Sequence, residues 1–483
     1  MNDYFTLPDK GMTSEDILAL LEQCKKSDAK WQNGRMFGYV YSPETKAVEL
    51  MTKVNELYLF ENALNTSLFP SIAQGEIQIV SIAARLLNGD ASVAGSVTSG
   101  GTESILLAMK ACREYIHKQK PTLKDPEVIL PWSVHPAFHK AAQLLGIKAI
   151  LLPLQNDYRA DCNALVRLIN EKTILIVGSA PSYSHGVVDP IEEMGKIALE
   201  RNLFFHVDSC LGGFFLPFME KLDYKIPLFD FRIPGVTSIS ADMHKFGYGA
   251  KGASVILYRT KELWRSQFFV HCDWPGGLFG CTTFLGSRSG APIMDALAML
   301  MFHGMEGYMA LTNKTMKAVE KLKSGICAIE GLSIVGEPVM CVLAFSSSKK
   351  DIYLIGDELH NRGWYIDRIM YPEALHLIIT NPNLENTDRF LTDLQQCVKA
   401  VRHNTLKRVS AGVGIKLGKK LMTAFPGKTS KLLGLKASGS VDTKQSTGGK
   451  SSASFYGIAS SIENKTNLND IVLNYLERTH TAK

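Results

Sequence analysis

From about residue 95 to residue 257 short apolar runs alternate with longer amphipathic ones, and this rhythm limits the fold more tightly than any other feature. The apolar runs 128–130, 148–152, 173–177, 203–207, 236–239 and 253–257 read as strands. Stretches of helical spacing lie between them at 102–116, 136–145, 161–170 and 190–201. Strands that alternate with helices predict an α/β fold, with a mostly parallel sheet covered on both faces. Function in such sheets collects at the carboxyl ends of the strands. A long helical stretch (about 291–330) leads into a smaller α+β pattern: strand 339–345, helix 351–362, strand 374–380 and helix 384–403. Upstream, Thr13 or Ser14 followed by Glu15 and Asp16 marks a helix start, with Ile17, Leu18 and Leu21 as its apolar positions. Residues 50–64 and 76–87 also carry helical spacing.

The expected organisation is an N-terminal helical segment (1–60), a large domain (61–310) and a small C-terminal domain (311–405). A basic, then Ser/Gly-rich, insertion follows (406–454), and a terminal helix (455–483) returns to the small domain. The net charge of +6 is unevenly spread. Eight Lys or Arg and no Asp or Glu lie between Lys407 and Val441, so the rest of the chain sums to 6 − 8 = −2. A basic balance confined to one segment gives no reason to expect nucleic-acid binding. The nine cysteines contain no C-x-x-C pair and read as reduced thiols, so neither disulfides nor a metal site is expected. The N-terminus lacks the pattern of a signal peptide, and no apolar run is long enough to span a bilayer. A cytoplasmic protein is expected.

Residues 240–252, Ser-Ala-Asp-Met-His-Lys-Phe-Gly-Tyr-Gly-Ala-Lys-Gly, place a His-Lys pair after an apolar run and before glycines. A lysine at the end of a buried strand can form a Schiff base with pyridoxal phosphate, and burial is expected to lower its pKa and leave a neutral nucleophile. Val97-Thr-Ser-Gly-Gly-Thr-Glu-Ser104 precedes an Ala/Leu-rich helix. Its glycines expose N–H groups where the helix dipole favours an anion, with Ser99 and Thr102 adding hydroxyls. On its own it is either a phosphate cradle or a helix cap. Asp208, in His-Val-Asp-Ser-Cys-Leu-Gly-Gly, ends a strand; it is either the carboxylate for a pyridinium nitrogen or a cap for the next helix. His135, after another strand, can stack on an aromatic ring or serve the structure.

In this order the pieces have the layout of fold type I pyridoxal phosphate enzymes. The motifs Thr-Ser-Gly-Gly-Thr-Glu-Ser, His-Val-Asp-x-Cys-Leu-Gly-Gly-Phe, Asp-x-His-Lys-Phe-Gly-x-x-x-Lys-Gly and Gly286-Ser-Arg-Ser-Gly290 closely resemble the sphingosine-1-phosphate lyase family. The resemblance runs from about Gly38 to the terminal helix, with a break at roughly 405–454. It implies that Lys245 is the Schiff-base lysine, Asp208 the partner of the pyridine nitrogen and His135 the ring-stacking residue. Ser99, Gly100, Gly101, Thr102 and His244 match positions around the cofactor phosphate. Ser287 would reach that phosphate from the neighbouring subunit, which implies a homodimer with shared sites. Tyr183 matches a tyrosine near the reacting centre, and Tyr41 and Lys251 match residues that hold the substrate phosphate. The family often has Leu-His-x-Asp-x-Phe-Pro near that phosphate. Here the match is Leu64-Asn-Thr-Ser-Leu-Phe-Pro70, so Asn65 replaces the histidine and can donate a hydrogen bond without carrying charge.

The implied reaction is retro-aldol cleavage of the C2–C3 bond of a phosphorylated long-chain base, giving a long-chain aldehyde and phosphoethanolamine. Tyr183 and a lysine amine are its candidate proton carriers. Two alternatives stand beside it. An amino-acid decarboxylase of the glutamate or aromatic type would keep Lys245, Asp208 and His135 without requiring Lys251. A non-catalytic homologue would serve as a binding scaffold. Segment 407–436 interleaves apolar residues with lysines, and reads either as a weak membrane-surface patch or as a solvated extension whose glycines and Pro426 interrupt any helix.

Overall fold

The computed structural model describes residues 7–401 together with 456, 469, 472, 473 and 475–477. The basic segment 407–436 and the Ser/Gly-rich stretch after it lie outside the described residues, as does most of 455–483.

The chain begins with helices α1 (Ser14–Lys25), α2 (Thr45–Leu57) and α3 (Pro70–Leu86). Thr13 caps α1 by accepting the Asp16 N–H at 3.1 Å. No residue of α1 is buried, and Ile17, Leu18 and Leu21 lie exposed. The helical spacing at 50–64 is realised only as far as Leu57. Beyond it the side chain of Asn62 accepts the Leu64 N–H, and that of Asn65 accepts the N–H groups of Ser67 and Leu68. Short amides that bond the nearby backbone in this way compete with helix.

Strands β1 (Ala94–Thr98), β2 (Glu127–Pro131), β3 (Lys148–Leu152), β4 (Thr173–Ser179), β5 (Phe204–Asp208), β6 (Ser238–Ala241) and β7 (Ser254–Tyr258) form one sheet in the order β1-β7-β6-β5-β4-β2-β3. Pairings from β6 through β5, β4 and β2 to β3 are parallel, and β7 runs antiparallel to β6 and β1. The expected α/β fold is therefore present, with one reversed strand. Helices α4 (Gly101–Gln119), α5 (Ala137–Leu145), α6 (Cys162–Leu168), α7 (Ile191–Glu200), α8 (Leu216–Lys221) and α9 (Lys261–Arg265) connect or flank the strands. Successive strand residues face opposite cores, as a period of two requires. Ile129, Ile176 and Val207 pack on one side of the sheet, and Val128, Leu130 and Val177 on the other.

After a short hairpin of β8 (Phe269–His271) and β9 (Phe279–Cys281) comes α10 (Gly290–Cys327), which kinks at Gly304 (φ 52°, ψ −171°). A second, wholly antiparallel sheet follows, built from β10 (Leu332–Ile334), β11 (Val342–Ser347), β12 (Asp367–Met370) and β13 (Glu373–Ile378) in the order β10-β11-β13-β12. Helices α11 (Ile352–Asn361) and α12 (Thr387–Ala400) complete it. The helix expected at 384–403 starts later, at Thr387, because Thr380 and Asn383 close a capping box around a 3-10 turn at Asn381–Asn386.

The N-terminal segment joins this second sheet. Met36 bridges to Tyr365, and the Gly38 N–H donates to Ile378 O at 2.9 Å. That attachment brings Tyr39 and Tyr41 to the carboxyl ends of the large sheet, where β5 and β6 deliver Asp208 and the 242–251 loop. Among the described residues no helix is long and apolar enough to cross a membrane, and no cluster of His, Cys, Asp and Glu could hold a metal ion.

Candidate active site

A cavity of about 440 Å³ opens at the carboxyl ends of β4, β5 and β6. Ser99, Gly100, Gly101, Thr102, His135, Tyr183, Asp208, His244, Lys245, Tyr41 and Lys251 all line it, so the structure brings eleven of the thirteen sequence-derived site residues together. Asn65 and Ser287 do not line it. Asn65 is exposed, with its carbonyl engaged in the local turn described above, and Ser287 accepts from Asn62 Nδ2 at 3.1 Å. Asn62 also pairs with Ser289, so the two segments sit on a common surface away from this chain's own cavity.

One wall is the N-terminus of α4, with Gly100 at the N-cap and Gly101 and Thr102 in the first turn. The first N–H groups of a helix have no intrahelical partner and are available to an anion. Gly100 has φ +158°, and a Cβ there would sit 3.5 Å from the His244 ring. A Cβ at Gly101 would lie 2.8 Å from both Asp242 oxygens and from Cys210 Sγ, so the wall admits only glycine without displacement. Glu103 was not anticipated here. Its carboxylate accepts the Ser99 N–H at 2.6 Å on one oxygen and the Phe284 N–H at 2.7 Å on the other.

Asp208 is buried, and its Oδ1 accepts from Cys210 N at 3.1 Å and Ser240 Oγ at 3.3 Å. No described residue donates to its Oδ2. The next helix, α8, begins only at Leu216, so Asp208 is not its cap. His135 Nδ1 accepts the Ala137 N–H at 3.2 Å, which leaves the ring proton on Nε2. Burial, only partly offset by Asp208, holds its pKa below the ordinary histidine value, so it presents a neutral ring to the cavity.

Lys245 departs from the sequence-based expectation. Burial does oppose its charge, but Asp242 Oδ2 lies 2.9 Å from Nζ, and the net effect raises the lysine pKa above its ordinary value. Without the cofactor, Lys245 therefore rests as an ammonium. Asp242 is buried too; burial works against its charge, yet Lys245 and His244 hold it below the usual carboxylate range. Asp242 lies inside the motif, but its contact with Lys245 depends on the turn at 242–245 and is not legible from the sequence. His244 is kept neutral by burial, and its Nδ1 is buried with no protein partner.

Lys251 donates to His244 O at 3.1 Å, and its ammonium lies 4.9 Å from the Tyr41 ring centroid. Much of the residue remains solvent-accessible. Even so, the desolvating walls and then the repulsion of Lys245 push its pKa down to about 8. Lys251 and Tyr41 also border a second opening of about 680 Å³, whose lining includes Val48, Met51 and Leu59 of the N-terminal segment.

Tyr183 is tied down at three points. Its O–H donates to Asp367 Oδ2 at 2.9 Å, its backbone carbonyl accepts from His376 Nε2 at 2.7 Å, and the two rings lie 4.5 Å apart. Asp367 Oδ1 accepts from Tyr39 at 2.8 Å. Asp367 and Tyr39 also line the cavity and were not anticipated, because they are distant in sequence and carry no motif.

These residues fit pyridoxal phosphate. The open α4 terminus and the unpartnered His244 Nδ1 suit its phosphate, Asp208 Oδ2 suits a protonated ring nitrogen, and Lys245 supplies the amine for its aldehyde. The profile of the pyridoxal-dependent decarboxylase conserved domain matches residues 9–348. The chain is 39% identical to a sphingosine-1-phosphate lyase of Dictyostelium discoideum over 84% of this chain and 76% of that one. It is 41% identical to one of Arabidopsis thaliana, over 82% and 74%. A solved structure of a sphingosine-1-phosphate lyase from Burkholderia pseudomallei superposes with a TM-score of 0.80 at 36% identity, covering 86% of this chain and 97% of that one.

Proposed function

Since the chain belongs to the pyridoxal-dependent decarboxylase family and, within it, to the sphingosine-1-phosphate lyases, we propose that it cleaves phosphorylated long-chain bases between C2 and C3, releasing a long-chain aldehyde and phosphoethanolamine. The observation that carries this reading is the second lysine. Lys251 lines the same cavity as Lys245 and stands beside Tyr41, where a substrate phosphate can meet a second cation. An amino-acid decarboxylase has no need of that charge.

Gly100, Gly101, Thr102 and His244, with the Ser99 hydroxyl, would hold the cofactor phosphate; His135 would lie against its ring; Asp208 Oδ2 would accept from its ring nitrogen. When bound, pyridoxal phosphate supplies an electron sink for the pair released as C2–C3 breaks. Lys245 must lose a proton before its amine can bond covalently, and Asp242 Oδ2, at 2.9 Å, is the group that holds the ammonium in place until then. Lys251 and Tyr41 orient the substrate from its phosphate end, and Tyr183 faces the reacting centre as a proton carrier. We also infer a homodimer with shared sites. In it Ser287 and Asn65 serve the partner's cavity, which accords with their common surface and with the open apolar face of α1. A reducing, cytoplasmic setting accords with nine unpaired thiols. We further infer a large unit (61–310) and a small one (311–405), a division that accords with the two separate sheets on either side of α10.

The test is product analysis with a phosphorylated long-chain base and with common amino acids in parallel. Long-chain aldehyde from the first is expected; carbon dioxide from the second with no aldehyde overturns the reading. Lys251→Met should raise KM about 10- to 100-fold with a smaller change in kcat, because a charge-assisted bond to phosphate contributes about 1.5–3 kcal/mol. Lys251 carries its charge below a pKa of about 8 and loses it above. The wild-type KM should therefore climb as pH passes that value, and the methionine variant should lack this rise.

A further inference from the structure

The proposed cleavage requires a proton to leave the substrate's C3 hydroxyl, and the geometry around Tyr183 indicates where it goes. A phenol has one proton to donate. Tyr183 directs its proton to Asp367 Oδ2 at 2.9 Å, so that proton is already committed within the protein. Toward the cavity its oxygen can therefore only accept. The arrangement is built: Asp367 sits on β12 opposite His376 of β13, and His376 fixes both the backbone carbonyl and the ring of Tyr183. Burial drives the His376 pKa down to about 4, so its ring is neutral, and Nε2, facing a carbonyl, must carry the proton. Burial and the Asp367 charge keep the Tyr183 phenol protonated, which leaves the tyrosine able to pass a proton through but unable to rest as a phenolate.

We propose that Asp367 is a positioning residue that makes Tyr183 an acceptor for the substrate's C3 hydroxyl and that ends a two-proton relay. The proposal rests on the lyase reading above. In the step, the C3 O–H bond breaks and its proton passes to Tyr183 Oη, while the Tyr183 proton passes to Asp367 Oδ2. The oxygen's pair becomes the C3=O bond of the aldehyde as C2–C3 breaks, and the pair from that bond stays on the C2 side. Asp367 ends neutral and the negative charge leaves with C2. Retro-aldol cleavage moves one proton in total from the C3 oxygen to C2, so the relay stores the proton that turnover returns. Tyr39, on Asp367 Oδ1 at 2.8 Å, steadies the carboxylate without lying on the proton's path.

The experiment compares the cofactor-loaded wild type with Asp367→Asn and Tyr39→Phe on a phosphorylated long-chain base. D367N should lower kcat about 100-fold, the scale of a lost general base, and shift KM less than about threefold. Its visible cofactor absorbance should match the wild type. In mixed light and heavy water the wild-type kcat should show a curved proton inventory, which becomes linear in D367N. Y39F should cost less than about a tenth of the D367N loss, since a residual phenol–carboxylate pair suffices for the relay. Equal losses in the two variants would reduce Asp367 to a clamp between chain segments and overturn the proposal, as would a D367N kcat within threefold of wild type. Should D367N fail to load the cofactor, the wild-type inventory decides: a linear one overturns the relay. Wild type that releases no aldehyde refutes the lyase reading itself, before any variant is measured.

Discussion

Lys245→Ala is expected to abolish aldehyde release, with a loss of at least about a thousandfold, and to remove the borohydride-reducible visible absorbance of the bound cofactor. No neighbouring amine replaces it: Lys251 points to His244 O and the Tyr41 ring. The same substitution also acts on stability. Asp242, with only 2% of its side chain exposed, loses the cation 2.9 Å away. Orphaning one half of a buried pair costs about 3–5 kcal/mol. The pair's contribution is present at neutral pH, where the depressed Asp242 is ionised and the elevated Lys245 protonated. It is lost in acid as pH falls through the lowered carboxylate value, and in alkali as pH rises through the raised lysine value. The double variant Lys245→Ala, Asp242→Asn should therefore recover much of the thermal stability at pH 7 and none of the activity. Recovery of activity with it would remove Lys245 from the chemistry.

Asp208→Asn is expected to lower kcat about 100- to 1000-fold, the range for removing a preorganised charge from a site sheltered from water. The asparagine oxygen can keep the bonds from Cys210 N and Ser240 Oγ, so the fold and the cavity persist. What changes is Oδ2, which becomes an NH₂ group and can no longer accept a ring N–H. Cofactor should still bind covalently through Lys245, with its absorbance band shifted. Turnover at the wild-type rate with an unshifted band would remove Asp208 from the ring-nitrogen role.

How far the sequence revealed this arrangement depended on whether a residue's partners were local. The parallel core was readable because β2, β4 and β5 are buried on both faces and spell continuous apolar runs. β1 escaped because Ala94-Gly-Ser-Val-Thr98 has little apolar signal; Gly95 lies against the Ile256 carbonyl, where a side chain would collide. β10 and β12 are short, and the β8–β9 hairpin is largely exposed, so none has a buried period to detect. In the cavity, Lys245, Asp208 and His135 follow strand ends and could be found by motif. The Asp367 contacts with Tyr39 and Tyr183 and the Glu103 contact with Phe284 arise where segments 181 to 328 residues apart meet, and no spacing announces them. The Lys245 charge state escapes for a different reason: Asp242 is only three residues away, but the turn at 242–245 that brings its carboxylate to the ammonium is not visible in spacing.

Glu103 joins the cavity wall to the loop that leads to Ser287, accepting from Ser99 on one oxygen and from Phe284 and Leu285 on the other. A single inherited change at this position therefore alters two surfaces at once: the one a subunit keeps for its own phosphate and the one it presents outward. The two surfaces are thereby mechanically joined through one carboxylate, so a disturbance of the outward loop reaches the α4 N-terminus through Glu103.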